Sequence, residues 1–317
     1  MKSIHLIDEG YVSDVYFKDS SSMEEIENEK IMLVETSPPY WNLKDYSDIK
    51  PQEGKLPASP DDYYQTYPEY LEMLKKVFSE CHRVLNPRGT MLINADIIKI
   101  KTDDKNIIPI PFDIMNLCTA IGFGCKDILI YKKSAGVPFE IGKKLPNRHE
   151  YLLMFSKSND YKFNIDAVRI PYPEDYVYPP GHDRRNDIGM LPTSVWDFNI
   201  PFQSGGDLHY HYCPFPHGLV DRAIKLFTDE KDWVLDPFLG SGRVLSRAKF
   251  LHRNGIGYEI NPLFREMIMN EIKNTRVGTD EEIHKIVDYS IEKNVPKNNK
   301  KIKNAGTSLD VFAKHKV

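Results

Sequence analysis

Apolar positions along this chain follow two periods. Short branched runs bounded by glycine, proline or polar turns read as buried strands, and longer i, i+3, i+4 repeats read as amphipathic helices. Ser13 to Ser20 alternates as a short strand, and Ser20-Ser21-Ser22 ahead of Glu24 and Glu25 predicts the start of a short helix. The run Ile31, Met32, Leu33, Val34 predicts the next strand. It must stop at Ser37, because Pro38 and Pro39 have no N–H with which to continue a ladder. Prolines, a glycine and many charges from Asn42 to Thr66 predict a long surface loop. Pro68 then opens a helix in which Leu71, Leu74, Val77, Phe78, Cys81 and Leu85 repeat at helical spacing, and Asn86-Pro87-Arg88-Gly89 ends it.

Thr90 to Asn94 reads as a buried strand, Phe112 to Ala120 as a helix stopped by Gly122-Phe123-Gly124, and Asp127 to Tyr131 and Glu150 to Phe155 as further strands. Between Ser156 and Tyr212 no long periodic segment survives the prolines and glycines, while tyrosines, Arg169, His182, Arg184 and Arg185 are frequent. That stretch reads as an irregular insertion. A helix over 217–227, a strand Trp233 to Leu235, a turn Asp236 to Gly242, a helix to Leu251 and a strand Ile256 to Ile260 make a second αβαβ half. Everything past Asn274 reads as helical and then lysine-rich. The alternation of strands and helices predicts an α/β sheet covered on both faces.

Composition narrows the classes. The 317 residues, 41% of them apolar, suffice for a sizeable core. Cys81, Cys118, Cys125 and Cys213 lie far apart with no CxxC pair, so neither a disulfide framework nor a metal site is expected, and a reducing cytoplasm is the expected setting. No run approaches the roughly 18 apolar residues of a membrane span, and no membrane partner is expected. The net charge of −4 excludes a protein coated in positive potential. Local patches remain: Lys126, Lys132, Lys133, Lys143, Lys144 and Arg148 face only Asp127 and Glu140, and seven lysines follow from Lys293 onward.

Two strand ends carry chemistry. Thr36-Ser37-Pro38-Pro39-Tyr40-Trp41 leaves a stiff, donor-poor turn with a hydroxyl, a free carbonyl at Pro38 and two aromatic rings. Such a turn suits a flat, amino-bearing ring, whose N–H hydrogens the acceptors take while an aromatic face stacks on it. A Pro-Pro-aromatic segment is equally often a plain strand exit, so the hexapeptide alone decides nothing. At the second site, Asp236-Pro237-Phe238-Leu239-Gly240-Ser241-Gly242 closes a strand and opens a helix whose N-terminal N–H groups suit an anion. Glu259, at the end of the next strand, is spaced to take the hydroxyls of a ribose. A third glycine is missing from the dinucleotide fingerprint, which favours a nucleoside bearing a small carboxylate. The pair of sites is more specific than either.

Together these motifs resemble amino-methylating DNA methyltransferases of the restriction-modification type. Thr36 to Trp41 resembles their catalytic motif and Asp236 to Gly242 their S-adenosylmethionine motif, DPFxGSG. The order, catalytic motif first, is similar to the permuted β group. Arg83 to Gly89 is similar to the family's RVLKPGG segment, Asn147 to Lys157 to the strand beside the recognition region, and His211 to Pro216 to the segment preceding the cofactor strand. Arg243 stands where the family usually has threonine, and Pro87-Arg88-Gly89 replaces its PGG.

The resemblance implies a Rossmann-like, circularly permuted methyltransferase sheet with an inserted target-recognition region. It divides the chain into a catalytic half (1–156), a recognition insertion (157–212), a cofactor half (213–275) and a helical, lysine-rich tail (276–317). It implies Ser37, Pro38, Pro39 and Tyr40 as the catalytic turn. Asp236, Pro237, Phe238, Gly240, Ser241, Gly242 and Glu259 would hold the cofactor, with Asp19 or Phe215 at its adenine. Lys143 and Lys144 would meet phosphates and Arg184 and Arg185 base edges of double-stranded DNA, with Arg148 also on the DNA-facing side. Family members with serine first in the motif mostly methylate cytosine N4, and those with Asp or Asn mostly adenine N6, so Ser37 favours cytosine with adenine as the alternative. A non-catalytic DNA-binding relative is a weaker reading, since the motif is intact, and methylation of RNA or of a protein amide is weaker because the long insertion bearing tyrosines and arginines points to duplex DNA. A cognate restriction endonuclease is the candidate protein partner.

Overall fold

The computed structural model describes residues 3–39, 41, 66–99, 107–133, 145, 147–172, 186–198 and 215–285. The chain opens with a hairpin of β1 (Ser3–Asp8) and β2 (Tyr11–Tyr16), turned by Glu9 and Gly10 at φ 47° and 86°. Only β2 overlaps the expected strand over 13–20. The alternation of Ser3-Ile4-His5-Leu6 before Asp-Glu-Gly is the signal for β1, and it was legible.

Ser20 to Glu25 forms turns, where a short helix was expected. Side chains of the following helix take its polar groups instead. Glu80 accepts from the Met23 N–H (2.8 Å), and the Arg83 guanidinium donates to the Met23 and Ile26 carbonyls (2.8 and 3.0 Å). With its main-chain groups satisfied from outside, the segment has no need of helical bonding.

β3 (Ile31–Thr36) leads to α1 (Tyr67–Val84), which begins in a capping box: the Thr66 hydroxyl accepts from the Glu69 N–H and the Glu69 carboxylate from the Thr66 N–H. β4 runs over Leu85–Ala95, longer than the expected Thr90 to Asn94. Its register with β3 shifts between Ile31 and Leu33, so Asn86 to Gly89 are absorbed as an irregularity inside the strand. β5 (Ile98–Lys99) and β6 (Ile107–Ile108) pair with each other, α2 spans Ile110–Ile121, and β7 (Gly124–Lys133) and β8 (His149–Ser156) follow. Within the expected irregular insertion, β9 (Val195–Phe198) joins the edge of the sheet alongside β7. The Arg222 guanidinium lies over the rings of Trp196 and Phe198 at 5.2 and 4.6 Å, which ties that strand to α3 (His217–Phe227). The chain then forms β10 (Trp233–Asp236), α4 (Arg243–Phe250), β11 (Asn254–Tyr258), α5 (Arg265–Asn274) and α6 (Asp280–Lys285).

Among the described residues nine strands form one sheet, ordered β1-β2-β11-β10-β3-β4-β8-β7-β9. β2, β11, β10, β3 and β4 run parallel, and β8 and β7 continue antiparallel. Apolar clusters cover both faces. Leu33, Leu92 and Val234 pack with α3 and α4, whereas Val34, Met91 and Leu235 pack with α1 and α2. Strand order reverses between β10 and β3, and a crevice at the carboxyl ends of strands forms at such a reversal.

Close packing at this crevice predicts a cost. A methyl group at Gly257 of β11 would stand 2.7 Å from a methyl carbon of Leu239, which is 3% exposed in the turn after β10. Gly257→Ala should lower the unfolding free energy by about 1–3 kcal/mol. Urea denaturation measures it, and an unchanged midpoint would contradict the packing.

Candidate active site

The two motifs meet at the ends of adjacent strands. β3 delivers Thr36 and Ser37, and β10 delivers Asp236. The Thr36 hydroxyl donates a 2.7 Å hydrogen bond to Asp236 Oδ1, with both residues buried. The same oxygen accepts from the Phe238 N–H at 3.1 Å and so closes the turn after β10. Two hundred residues of chain separate the ends of this bond. Ser37 is half-buried, Pro38 buried and Pro39 half-buried, while Tyr40 lies outside the described residues. Trp41 packs on Tyr67 of α1 with ring centroids 5.2 Å apart, placing the ring against the α1 side of the sheet.

The turn itself is built from positive φ. Gly240 (53°) and Gly242 (87°) adopt conformations that a side chain resists. Pro237 and Ser241 are buried and Phe238 is half-buried. Gly242 precedes α4 with no side-chain cap, so the first N–H groups of that helix keep their donor capacity for a ligand.

Glu259 sits directly after β11 and is 8% exposed. One carboxylate oxygen accepts from the Gly240 N–H (2.9 Å) and the other from the Asn261 N–H (2.8 Å). The side chain therefore braces the glycine turn, and each oxygen retains a lone pair for a ligand hydroxyl. Arg243, the departure noted above, turns away to Glu271 of α5 (2.8 Å) and the Phe215 carbonyl (3.1 Å). It thereby ties the Phe215 backbone to the start of α4. Asp19 is exposed in the loop after β2, where its carboxylate accepts from the Ser21 N–H at 2.7 Å. It follows β2, which pairs with β11. Arg148 is exposed beside β8, and Lys143, Lys144, Arg184 and Arg185 lie outside the described residues.

Sequence reasoning missed a polar cluster at the end of β4. Asn94, 5% exposed, donates to Glu150 at 2.5 Å; Glu150 pairs with Lys133; and Asp96 accepts from Asn147 at 2.9 Å. Burial, with Glu150 nearby, raises the Asp96 carboxyl to about 6. β4 adjoins β3, with Ile93 paired to Thr36, so the cluster borders the proline turn. Its members are scattered in sequence, and only strand pairing assembles them.

A second miss is Glu35, 1% exposed, whose two carboxylate oxygens have no hydrogen-bond partner among the described residues. A glutamate inside an apolar strand run was the available signal.

This arrangement can hold a nucleoside bearing a charged tail in the β10–β11 crevice and an amino-bearing ring at the end of β3. The acidic groups are tuned by their surroundings. Burial chiefly raises Asp236 to about 7, against the Thr36 and Phe238 hydrogen bonds, and likewise raises Glu259 to about 7. A carboxyl raised in this way holds its proton more tightly folded than unfolded. Its stabilising contribution is complete below about 4, the unfolded range, and is lost as pH rises through 7. Asp236→Asn should therefore gain stability relative to the unliganded wild type from about pH 5 to about pH 8. Urea unfolding at the two pH values measures the difference, and a constant difference would contradict the assignment.

Comparison with known proteins follows the same geometry. The sequence pattern of the family described as DNA methylase, of the N6/N4 class, matches residues 31–270. A type II methyltransferase of Methanothermobacter thermautotrophicus, M.MthZI, is 28% identical over 293 residues, covering 88% of this chain and 81% of that protein. M.HpaI, a type II methyltransferase of Haemophilus parainfluenzae, is 29% identical over 269 residues, covering 82% and 73%. A Thermus thermophilus protein solved in complex with S-adenosyl-L-methionine superposes with a TM-score of 0.54 at 25% identity, covering 81% of this chain and 95% of that one. The PvuII cytosine-N4-specific DNA methyltransferase shares the fold with a TM-score of 0.63 at 18% identity, covering 88% and 93%.

Proposed function

The chain belongs to the amino-methylating N6/N4 DNA methylase family, the S-adenosylmethionine-dependent methyltransferases of restriction-modification systems, and we propose that it methylates N4 of a flipped-out cytosine in double-stranded DNA. The observation that carries this reading is the Thr36–Asp236 bond, which holds the serine turn against the glycine turn. A methyl donor in one and an acceptor amine in the other then lie close enough to react. Among the described residues no helix is long and apolar enough to cross a membrane.

An exocyclic amino group is a poor nucleophile, because its lone pair is delocalised into the ring. Ser37 Oγ and the Pro38 carbonyl accept its two hydrogens and localise that pair, while Tyr40 stacks on the base. Pro39 fixes the turn, and Trp41 on Tyr67 shapes the pocket. Asp236 to Gly242 hold the methionine end and Glu259 the ribose, with Asp19 or Phe215 at the adenine. S-adenosylmethionine, when bound, supplies an electrophilic methyl group on sulfur. The chain contributes position above all, and alignment of reactants can account for about 7–11 kcal/mol of a barrier.

The target nitrogen lies inside the duplex, so the base must leave the stack, at a cost of a few kcal/mol. Lys143 and Lys144 serve phosphates, Arg184 and Arg185 read base edges, and Arg148 also meets the DNA. Residues 1–156 form the catalytic half, 213–275 the cofactor-binding half, 157–212 the recognition region and 276–317 a helical, lysine-rich tail. A neutral serine of small volume favours cytosine over adenine. A partner endonuclease for the same site and a cytoplasmic location follow from this reading.

The product decides the base. Duplex DNA methylated by the purified protein, digested to nucleosides and analysed by mass spectrometry, should contain N4-methylcytosine. Ser37→Ala should slow transfer with cofactor affinity unchanged. Tyr40→Ala should weaken base capture as well, by about 1–3 kcal/mol for lost stacking. N6-methyladenine would overturn the base, and 5-methylcytosine would overturn the mechanism, since carbon methylation needs a covalent nucleophile.

A further inference from the structure

Glu35 has no structural reason to be a glutamate. It occupies β3 between Val34 and Thr36, is 1% exposed, and both its carboxylate oxygens are buried without a partner among the described residues. Its neighbour Leu33 belongs to the cluster packed with α3 and α4, so the alternation of the strand turns Glu35 to that side. Leu33 pairs with Val234 and Val34 with Leu235, which sets Glu35 level with Asp236 on β10. The titratable groups that act on it are acids. They are Asp236 and, from α3, Asp221, itself bonded to Arg247 of α4 at 2.6 and 2.9 Å. Burial foremost, then these two carboxylates, hold the Glu35 carboxyl well above the ordinary range. An apolar side chain would fill the position at lower cost, because a buried polar group with no partner is costly.

Among the described residues no cation partners it. Ser37 follows two residues on, about 7 Å along an extended strand, and the proposed donor lies between that turn and Asp236. The donor carries positive charge on sulfur, and the demethylated product does not. We propose that Glu35 supplies the counter-charge for the sulfonium of the methyl donor, and so makes the site discriminate the donor from its product, whose sulfur is uncharged. When the donor binds, the Glu35 carboxyl gives its proton to solvent. Once the product with its neutral sulfur remains, the carboxylate takes a proton back, so that only an O–H bond breaks and forms at Glu35. The device favours loading before transfer and release after it. It rests on the placement of the cofactor given under Proposed function.

Titration calorimetry on the full-length protein tests it, with S-adenosylmethionine and S-adenosylhomocysteine as separate ligands at neutral pH, in two buffers of different ionisation heat. The wild type should bind the donor about tenfold more tightly than the product and release about one proton with the donor alone. Glu35→Gln, close in shape, should erase both the preference and the proton release through lost donor affinity, with product affinity unchanged. Proton release that persists in Glu35→Gln would assign the proton to Asp236 or Glu259 and overturn the proposal. So would a wild type that releases no proton, a result that holds even if the variant fails to fold. If neither ligand binds the wild type, the cofactor site itself is misplaced, whereas equal binding of both sinks only the role of Glu35.

Discussion

One buried hydrogen bond, from the Thr36 hydroxyl to Asp236 Oδ1, joins the proline turn after β3 to the glycine turn after β10. Parallel pairing of β10 with β3 brings their carboxyl ends side by side, yet pairing alone leaves the loops beyond each strand free to diverge. The bond removes that freedom at the point where the strands end. On one side Asp236 also receives the Phe238 N–H, so the glycine turn is set by the same carboxylate. On the other side Thr36 precedes the two prolines, whose fixed φ carries the geometry forward to Ser37 and Pro38. In a low-dielectric interior such a bond is strong and its loss leaves a costly orphan.

Burial makes the carboxyls of the crevice hold their protons more tightly than free ones do. Among the described residues, Asp236 and Glu259 are held by main-chain N–H groups and a hydroxyl, with no cation as partner, and Glu35 has no partner at all. Three carboxyls at the ends of neighbouring strands can ionise toward a cation that binds beside them. The methyl donor of this family is such a cation at its sulfur. Arg243, by contrast, spends its charge on Glu271 and the Phe215 carbonyl, so the residue that departs from the family pattern braces the helices around the site.

Much of this was legible in the sequence. Branched runs gave β3, β10 and β11, proline and glycine placed their ends, and the helical repeat of Leu74, Val77, Phe78 and Cys81 gave the face of α1 that is buried. Errors arose where partners distant in sequence decide local structure. Ser20 to Glu25 has the composition of a helix start, but Glu80 and Arg83 satisfy its main chain as turns. Asn86 to Gly89 reads as a helix terminator and a break, but β3 absorbs it as an irregularity of β4. β9 hides among prolines, and its place is set by Arg222 and by β7. The polar cluster of Asn94, Asp96, Lys133 and Glu150 exists only once the strands are paired.

On the proposed function, the Thr36–Asp236 bond sets the distance between donor and acceptor, and Thr36 itself binds neither. Thr36→Val keeps the shape of the side chain and deletes the hydroxyl. Single-turnover methyl transfer, measured alongside equilibrium binding of cofactor and DNA, is the most direct measurement. The account predicts both affinities within about threefold of wild type and a transfer rate lower by about tenfold or more, since small misalignments are costly. A variant that transfers methyl groups at the wild-type rate, with both affinities intact, would contradict it.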